Sequence, residues 1–156
     1  MKITILAIGK KHDPKIVSAI EDYTKRLGHY TDVGWNLIEA KISSAMNQEQ
    51  IKREESSLLL DHIKQNDEVI LLDETGEQLN SVGLAQKLQN YMNQANKNVI
   101  IIIGGSYGVN EDLMQRSNFT WSLSKLVFPH QLVRLILAEQ LYRAHSILAG
   151  EKYHHI

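Results

Sequence analysis

The chain has 156 residues, of which 43% are hydrophobic and 22% are charged, and its formal net charge is −1. This length predicts a single domain over residues 1–156, and the absence of cysteine excludes disulfides and thiolate chemistry. No apolar run approaches the roughly 18 residues of a membrane span, and the near-neutral charge counts against a general nucleic-acid binder, so we expect a cytoplasmic protein without a membrane segment.

Apolar runs alternate with helical patterns along the first half of the chain. Residues 3–8 predict a first strand. Asp13 and Pro14 then predict a helix start, with Asp13 as the N-cap and Pro14 at the first helical position. A second strand is expected over residues 33–40, and a long helix over residues 43–65.

The second half repeats this alternation. Residues 68–72 predict a short buried strand, and Ser81 is expected to cap the helix that follows. Residues 98–103 form the most apolar run, Asn110 is expected to cap a short helix, residues 121–123 predict a brief strand, and residues 131–149 predict the last helix.

This order predicts an α/β fold with a mainly parallel sheet and helices on both faces. Ligands of such sheets bind beyond the carboxyl ends of the strands. Those ends fall at Leu72, at Gly104-Gly105 and near Leu123-Ser124. The sequence therefore predicts a small-molecule site at this edge of the sheet.

A glycine turn follows the most apolar strand, in the order Gly104-Gly105-Ser106-Tyr107-Gly108. Its spacing matches neither the dinucleotide fingerprint nor a P-loop. Glycine allows a ligand to approach the backbone closely, although a plain strand-to-helix turn would have the same residues. Residues 123–128 carry too few charges for a phosphate site and fit either an apolar ligand slot or a buried connection.

Four motifs in order resemble one known family. They are the Ile-Gly-Gly turn at 103–105, the segment 123–130, Tyr142-Arg143-Ala144 and Tyr153-His154. The chain resembles the bacterial large-subunit ribosomal RNA methyltransferase H family over its whole length. That resemblance implies a SPOUT enzyme with a C-terminal trefoil knot, which transfers a methyl group from S-adenosylmethionine (SAM) to N3 of a pseudouridine in 23S rRNA.

The resemblance also implies a set of site residues. The residues expected to bind SAM are Leu72, Gly104, Gly105, Leu123, Ser124, Lys125, Leu126, Val127 and Phe128, with Lys125 facing solvent. The residues expected on the substrate side are Arg143, Tyr153 and His154. No metal is expected, because SAM chemistry needs none, and His130 and His145 are interpreted as structural.

N3 of pseudouridine must lose a proton before it can accept a methyl group. An imidazole, with a reference pKa of about 6.5, is suited to proton transfer near neutral pH, so His154 is hypothesised to be the general base. Arg143 would neutralise developing charge and Tyr153 would orient the base. Without the resemblance, Arg143 would be interpreted as a surface residue and the tail as a frayed end.

The expected partners follow from the same family resemblance. The resemblance implies a homodimer that acts on 23S rRNA, expected within the assembled ribosome, with one subunit's tail meeting the SAM slot of the other. The last helix has apolar residues on more than one face, which fits a dimer contact or burial within the monomer. Arg134 has no assigned role, and Glu139 could be its partner.

Two alternatives stay open at this stage. One is a non-catalytic module that keeps the fold and binds SAM and the ribosome without turnover. The other is a SPOUT enzyme with a different RNA target. The chain departs from many relatives after His154, where a charged residue commonly follows and His155-Ile156 stand instead.

Overall fold

The computed structural model describes residues 1–95 and 98–155. Its strands are β1 (Lys2–Ile8), β2 (Asp32–Ile38), β3 (Glu68–Gln78), β4 (Asn98–Ile103) and β5 (Phe119–Ser122). Its helices are α1 (Val17–Leu27), α2 (Gln48–Leu60), α3 (Ser81–Asn93), α4 (Glu111–Arg116) and α5 (His130–Leu148). Strands and helices alternate throughout, as the sequence predicts.

The strands form one sheet in the order β2-β1-β4-β3-β5, and every pair of neighbours is parallel. The predicted parallel α/β architecture is therefore confirmed. The trefoil knot and the single-domain assignment stay predictions, and Ile156 lies outside the described residues. Within the described part of the chain, no helix is long and apolar enough to cross a membrane.

Helices cover both faces of the sheet, which explains the unbroken apolar run of β4. Val99, Ile101 and Ile103 belong to a core cluster that includes residues of α1, α3 and α5. Ile100 and Ile102 point to the opposite face and pack in a second cluster with residues of α2 and α4. Alternate side chains of a strand face opposite sides, so a strand buried on both faces is apolar at every position.

Local polar contacts set several helix starts. Asn110 caps α4 as predicted, accepting a hydrogen bond from Leu113 N at 3.1 Å. The predicted cap Ser81 is wrong, because Asn80 caps α3 by accepting from Gly83 N at 2.7 Å. The Ser81 hydroxyl instead donates to Gln140 Oε1 at 2.7 Å.

Three predicted boundaries also differ from the structure. The Asp13 side chain accepts from Lys15 N at 2.8 Å within a turn, so α1 begins only at Val17. The helix expected over residues 43–65 is shorter, because Asn47 and Gln50 form a capping box at the start of α2. β3 continues past Leu72 to Gln78 through a shift in register opposite β5.

Candidate functional site

The carboxyl ends of β4 and β5 and the middle of β3 lie beside one cleft. Leu72 of β3 pairs with Ile103, the last residue of β4, and with Trp121 of β5, so the three strands lie side by side here, although β3 itself continues to Gln78. The cleft has a volume of about 750 Å³. Its lining comes from these strand ends, the glycine turn, the loop before α5 and the first turn of α5. The ligand site predicted at this edge of the sheet thus corresponds to a cavity.

Eight of the nine residues expected to bind the cofactor line this cleft, namely Leu72, Gly104, Gly105, Leu123, Ser124, Leu126, Val127 and Phe128. Lys125 is exposed and lies outside the lining, in keeping with the expectation that it faces solvent. The sequence-predicted residues are thereby brought together, while the ligand that they hold stays a prediction.

A side chain at either of the first two positions of the glycine turn would force a neighbouring side chain to move. A Cβ on Gly104 would lie 3.0 Å from Val109 Cγ1, and a Cβ on Gly105 would overlap the carboxyl group of Glu55. The turn closes with a hydrogen bond of 3.1 Å from Gly108 N to Gly105 O, and Gly108 has a φ of 78°. This leaves bare backbone beside the cleft, which suits close contact with a ligand such as a nucleoside.

Glu55 of α2 lies behind the glycine turn and was not anticipated from the sequence. It is only 7% exposed, and its Oε1 has no hydrogen-bond partner among the described residues. Burial raises the pKa of its carboxyl group. The neighbouring Ser56 accepts a hydrogen bond from Asn110 N at 2.9 Å, which ties α2 to the start of α4.

The loop before α5 presents apolar side chains at the mouth of the cleft. Leu126 and Val127 are 70% and 79% exposed. The loop is shaped by Ser124, whose Oγ accepts from Leu126 N at 3.0 Å and whose carbonyl oxygen accepts from Ser122 Oγ at 2.9 Å. These two adjacent apolar side chains are therefore accessible for contact with a ligand or with another protein chain.

The cleft also contains residues that sequence reasoning did not select. They are Asp73, Glu74, Trp121, His130 and Gln131, among others. His130 was interpreted as structural, but it lines the cleft, and burial together with the charge of Arg134 lowers its pKa. The available signal was that Asp73 and Glu74 follow the strand predicted over residues 68–72 and that His130 and Gln131 lie at a helix start, both positions expected at the carboxyl edge of the sheet.

Glu139 links the three residues expected on the substrate side. It contacts Arg143 and Tyr153 directly, and His154 through Arg143. Arg143 donates from Nε to Glu139 Oε1 at 2.9 Å and also from Nη2. Tyr153 donates from its hydroxyl to the same oxygen at 3.0 Å. Arg143 Nη1 lies 3.2 Å from Nδ1 of His154. Glu139 is therefore the partner of Arg143, and the suggested pairing with Arg134 is wrong.

Aromatic rings hold the tail against the body of the protein. The Tyr153 ring packs edge-on against Tyr142 at 4.7 Å between centroids, and its hydroxyl lies 3.3 Å from that of Tyr23. The guanidinium of Arg143 sits 4.7 Å from the Tyr153 ring centroid. Burial, with the hydrogen bonds to Tyr23 and Glu139, raises the pKa of Tyr153. Tyr153 and His154 are thus half-buried, and a frayed tail is not what the structure contains.

This tail cluster, made of Arg143, Tyr153 and His154 around Glu139, is separate from the cleft of the same chain. None of its members lines the cleft. Arg134, on the same helix as Glu139 and Arg143, is fully buried and donates to backbone carbonyl oxygens at the end of β1. Across residues 1–95 and 98–155, no group of three His, Asp or Glu side chains is arranged to hold a metal ion.

Comparison with known proteins places this geometry in a family. The family model described as "Predicted SPOUT methyltransferase" matches residues 1–154. Among solved structures, the chain is similar to the tRNA (m1G37) methyltransferase from Aquifex aeolicus, with a TM-score of 0.58 and 16% identity over 100% of this chain and 76% of that one. This structural likeness shows a shared fold, and the family match covers nearly every residue. The chain belongs to the SPOUT methyltransferase family.

Proposed function

We propose that the protein transfers a methyl group from SAM to N3 of a pseudouridine in 23S rRNA of the large ribosomal subunit. The observation that carries this proposal is the gathering of eight expected cofactor-binding residues around one cleft at the strand ends. The methyltransferase family supplies the reaction class. The substrate rests on the motifs at 123–130, 142–144 and 153–154, which resemble the family described above.

The cleft residues fit the cofactor. When bound, SAM supplies a methyl group on a positively charged sulfur, and on transfer to N3 the carbon–sulfur electron pair stays on the sulfur. The bare backbone at Gly104 and Gly105 lets a ligand approach closely, and Leu126, Val127 and Phe128 offer apolar side chains to an adenine ring. Holding two reactants in this way can lower the barrier by roughly 7–11 kcal/mol.

The tail cluster supplies the substrate side in this proposal. Arg143 and Tyr153 are already packed together, and an arginine beside an aromatic ring suits an unstacked base and its phosphate. The chain as a whole has a net charge of −1, so it lacks the positive charge for strong binding to naked RNA. A structured ribosomal surface is therefore the substrate that we propose.

A homodimer completes this arrangement. The tail cluster does not line the cleft of its own chain, and the loop beside that cleft exposes Leu126 and Val127. Leu132, in the first turn of α5, is 39% exposed and lies a few residues after Leu126 and Val127 in the sequence. A second copy that covers these side chains would bury apolar surface and could bring its own tail to the cleft. We propose this composite site for the active enzyme.

The test is methyl transfer from labelled SAM to ribosomes that lack the modification, with mass mapping of the labelled nucleotide. Label on N3 of a large-subunit pseudouridine supports the proposal. Label on another RNA would mean that the protein is a SPOUT methyltransferase with a different RNA target. SAM binding without transfer to any ribosomal or transfer RNA would leave a non-catalytic module. His154→Ala in the same assay reports whether the tail is needed.

A further inference from the structure

Nδ1 of His154 faces a group that can only donate hydrogen bonds. The nearest nitrogen is Arg143 Nη1, at 3.2 Å. A guanidinium has five N–H donors and no acceptor, and it stays protonated in proteins. The hydrogen bond to Glu139 raises the pKa of Arg143 further. Nδ1 must therefore be the acceptor in this contact.

This contact determines which nitrogen carries the proton when the ring is neutral. A neutral imidazole has one protonated nitrogen and one bare nitrogen. With Nδ1 bare and accepting from Arg143, the proton lies on Nε2. His154 then has no bare nitrogen to offer a substrate.

Glu139 makes this arrangement rigid. Its Oε1 accepts from two nitrogens of Arg143 and from the Tyr153 hydroxyl, and its Oε2 accepts from Gln140 Nε2 at 2.7 Å. With Nε and Nη2 held by the carboxylate, Nη1 is the arginine nitrogen left to contact the imidazole. The side chain of Glu139 is 18% exposed, so water competes little for these bonds.

The arrangement differs from a catalytic carboxylate–histidine pair, in which the carboxylate contacts the imidazole directly. Where a carboxylate contacts the imidazole directly, it accepts from Nδ1–H and leaves Nε2 bare, which makes the ring a base. Here Arg143 lies between the carboxylate of Glu139 and the ring of His154. The inserted arginine changes Nδ1 from donor to acceptor and Nε2 from acceptor to donor.

Resting on the proposed function, we propose that His154 is a hydrogen-bond donor to the substrate and that Glu139 is the positioning residue which keeps it so through Arg143. Nε2–H donates to a carbonyl oxygen next to N3, where negative charge collects once N3 has lost its proton. The N3 proton leaves to hydroxide from solvent and forms water. His154 keeps its own proton throughout, in place of the general-base role hypothesised from the sequence.

The two side chains bound most closely to this contact, Tyr153 and Glu139, are not free to act as bases. Tyr153 donates a hydrogen bond from its hydroxyl to Glu139, and its raised pKa keeps the phenol neutral. Both oxygens of Glu139 are occupied by donors. Charged and titratable groups near the ring include Arg143, Glu139 and Tyr142 of α5, Tyr23 and Arg26 of α1, and Tyr153 and the exposed His155 of the tail.

The first test reads the tautomer directly in the free protein. Ring nitrogen-15 NMR distinguishes protonated from bare nitrogens, and the His154 signals are assigned by their loss in His154→Gln. We expect Nε2 protonated and Nδ1 bare at neutral pH, with Glu139→Gln mixing the two tautomers. A dominant Nδ1–H tautomer in the wild type would overturn the proposal. This readout needs neither SAM nor RNA, so it is independent of the proposed function.

The second test is the single-turnover rate of methyl transfer from about pH 6 to about pH 9 with both substrates saturating. A donor role predicts a rate that keeps rising with pH, because hydroxide removes the N3 proton. A histidine base predicts a plateau above about pH 7.5. We also expect His154→Gln, whose amide can donate but cannot act as a base, to be at least about tenfold faster than His154→Ala.

Equal rates of His154→Gln and His154→Ala, together with a plateau, would overturn the proposal. His155→Gln is the matched control, because it removes the adjacent exposed imidazole, and it is expected to keep the wild-type pH profile. A wild-type enzyme that methylates no RNA would instead contradict the proposed function, and the tautomer measurement would still decide the state of His154.

Discussion

The buried guanidinium of Arg134 donates from Nη2 to the carbonyl oxygen of Ile8 at 2.8 Å, and so joins α5 to the carboxyl end of β1. The same nitrogen lies 3.2 Å from Gly9 O, and Nη1 donates to Lys11 O at 3.0 Å. Burial lowers the pKa of this side chain, yet an arginine stays charged in proteins. Backbone carbonyl oxygens therefore compensate a buried positive charge near the start of α5, the helix that also carries Glu139 and Arg143.

Replacing Arg134 by methionine should destabilise the protein strongly. The change removes the donor to the carbonyl oxygens of Ile8 and Gly9, and each buried acceptor left unsatisfied costs about 1–3 kcal/mol. We expect the free energy of unfolding in urea to fall by about 3 kcal/mol. Arg53→Met, at an exposed position of α2, is the matched control and should change stability by less than about 0.5 kcal/mol. Equal losses for the two variants would contradict this account.

Most of the sheet could be predicted because its strands are buried on both faces. The run from Val99 to Ile103 has no polar residue, and only a strand covered by helices on either side requires that. Helix starts were less predictable. Asn80 and Ser81 are both good N-cap residues, and the choice between them depends on Gln140, a residue distant in sequence that engages the Ser81 hydroxyl.

The candidate site was likewise predictable from the sequence only in part. The cleft was predictable, since strand ends such as Leu72 and Gly104 are local signals that a parallel sheet brings together. Glu55 was not, because it stands among polar residues of α2 and resembles a surface position until the fold places it behind Gly105. Glu139 has two arginines within reach along α5, and only the packing of the tail selects Arg143.

Replacing Gly105 by alanine should disturb the cleft, because a Cβ there overlaps the carboxyl group of Glu55. We expect a loss of about 1–3 kcal/mol in unfolding free energy from overpacking. SAM affinity, measured by calorimetry, should fall by at least about tenfold. Gly34→Ala is the matched control, because a Cβ at that position of β2 meets no atom within 4 Å. Unchanged SAM affinity in Gly105→Ala would show that the glycine turn does not contact the ligand.

Glu55 should make stability depend on pH in a defined direction. Its raised pKa means that the folded protein binds this proton more tightly than the unfolded chain does. The contribution of this protonation to the free energy of unfolding is fully present below the ordinary pKa of about 4.3. It is lost as the pH rises through the raised pKa of the folded state. Urea unfolding across this range should show the wild type losing stability relative to Glu55→Gln, by about 1.4 kcal/mol for each unit of elevation. Glu54→Gln, at the exposed neighbouring position, should show no such trend.

Mixing two inactive variants tests whether the proposed active site is shared between two copies. Gly105→Ala damages the cleft and His154→Ala removes a tail residue that does not line the cleft of its own chain. In a mixed dimer, one composite site combines the intact cleft of one copy with the intact tail of the other. Equal amounts, refolded together, should recover about a quarter of wild-type methyl transfer, because half of the dimers are mixed and each has one intact site of two. No recovery, with mixed dimers detected by mass spectrometry, would mean that each chain uses its own tail.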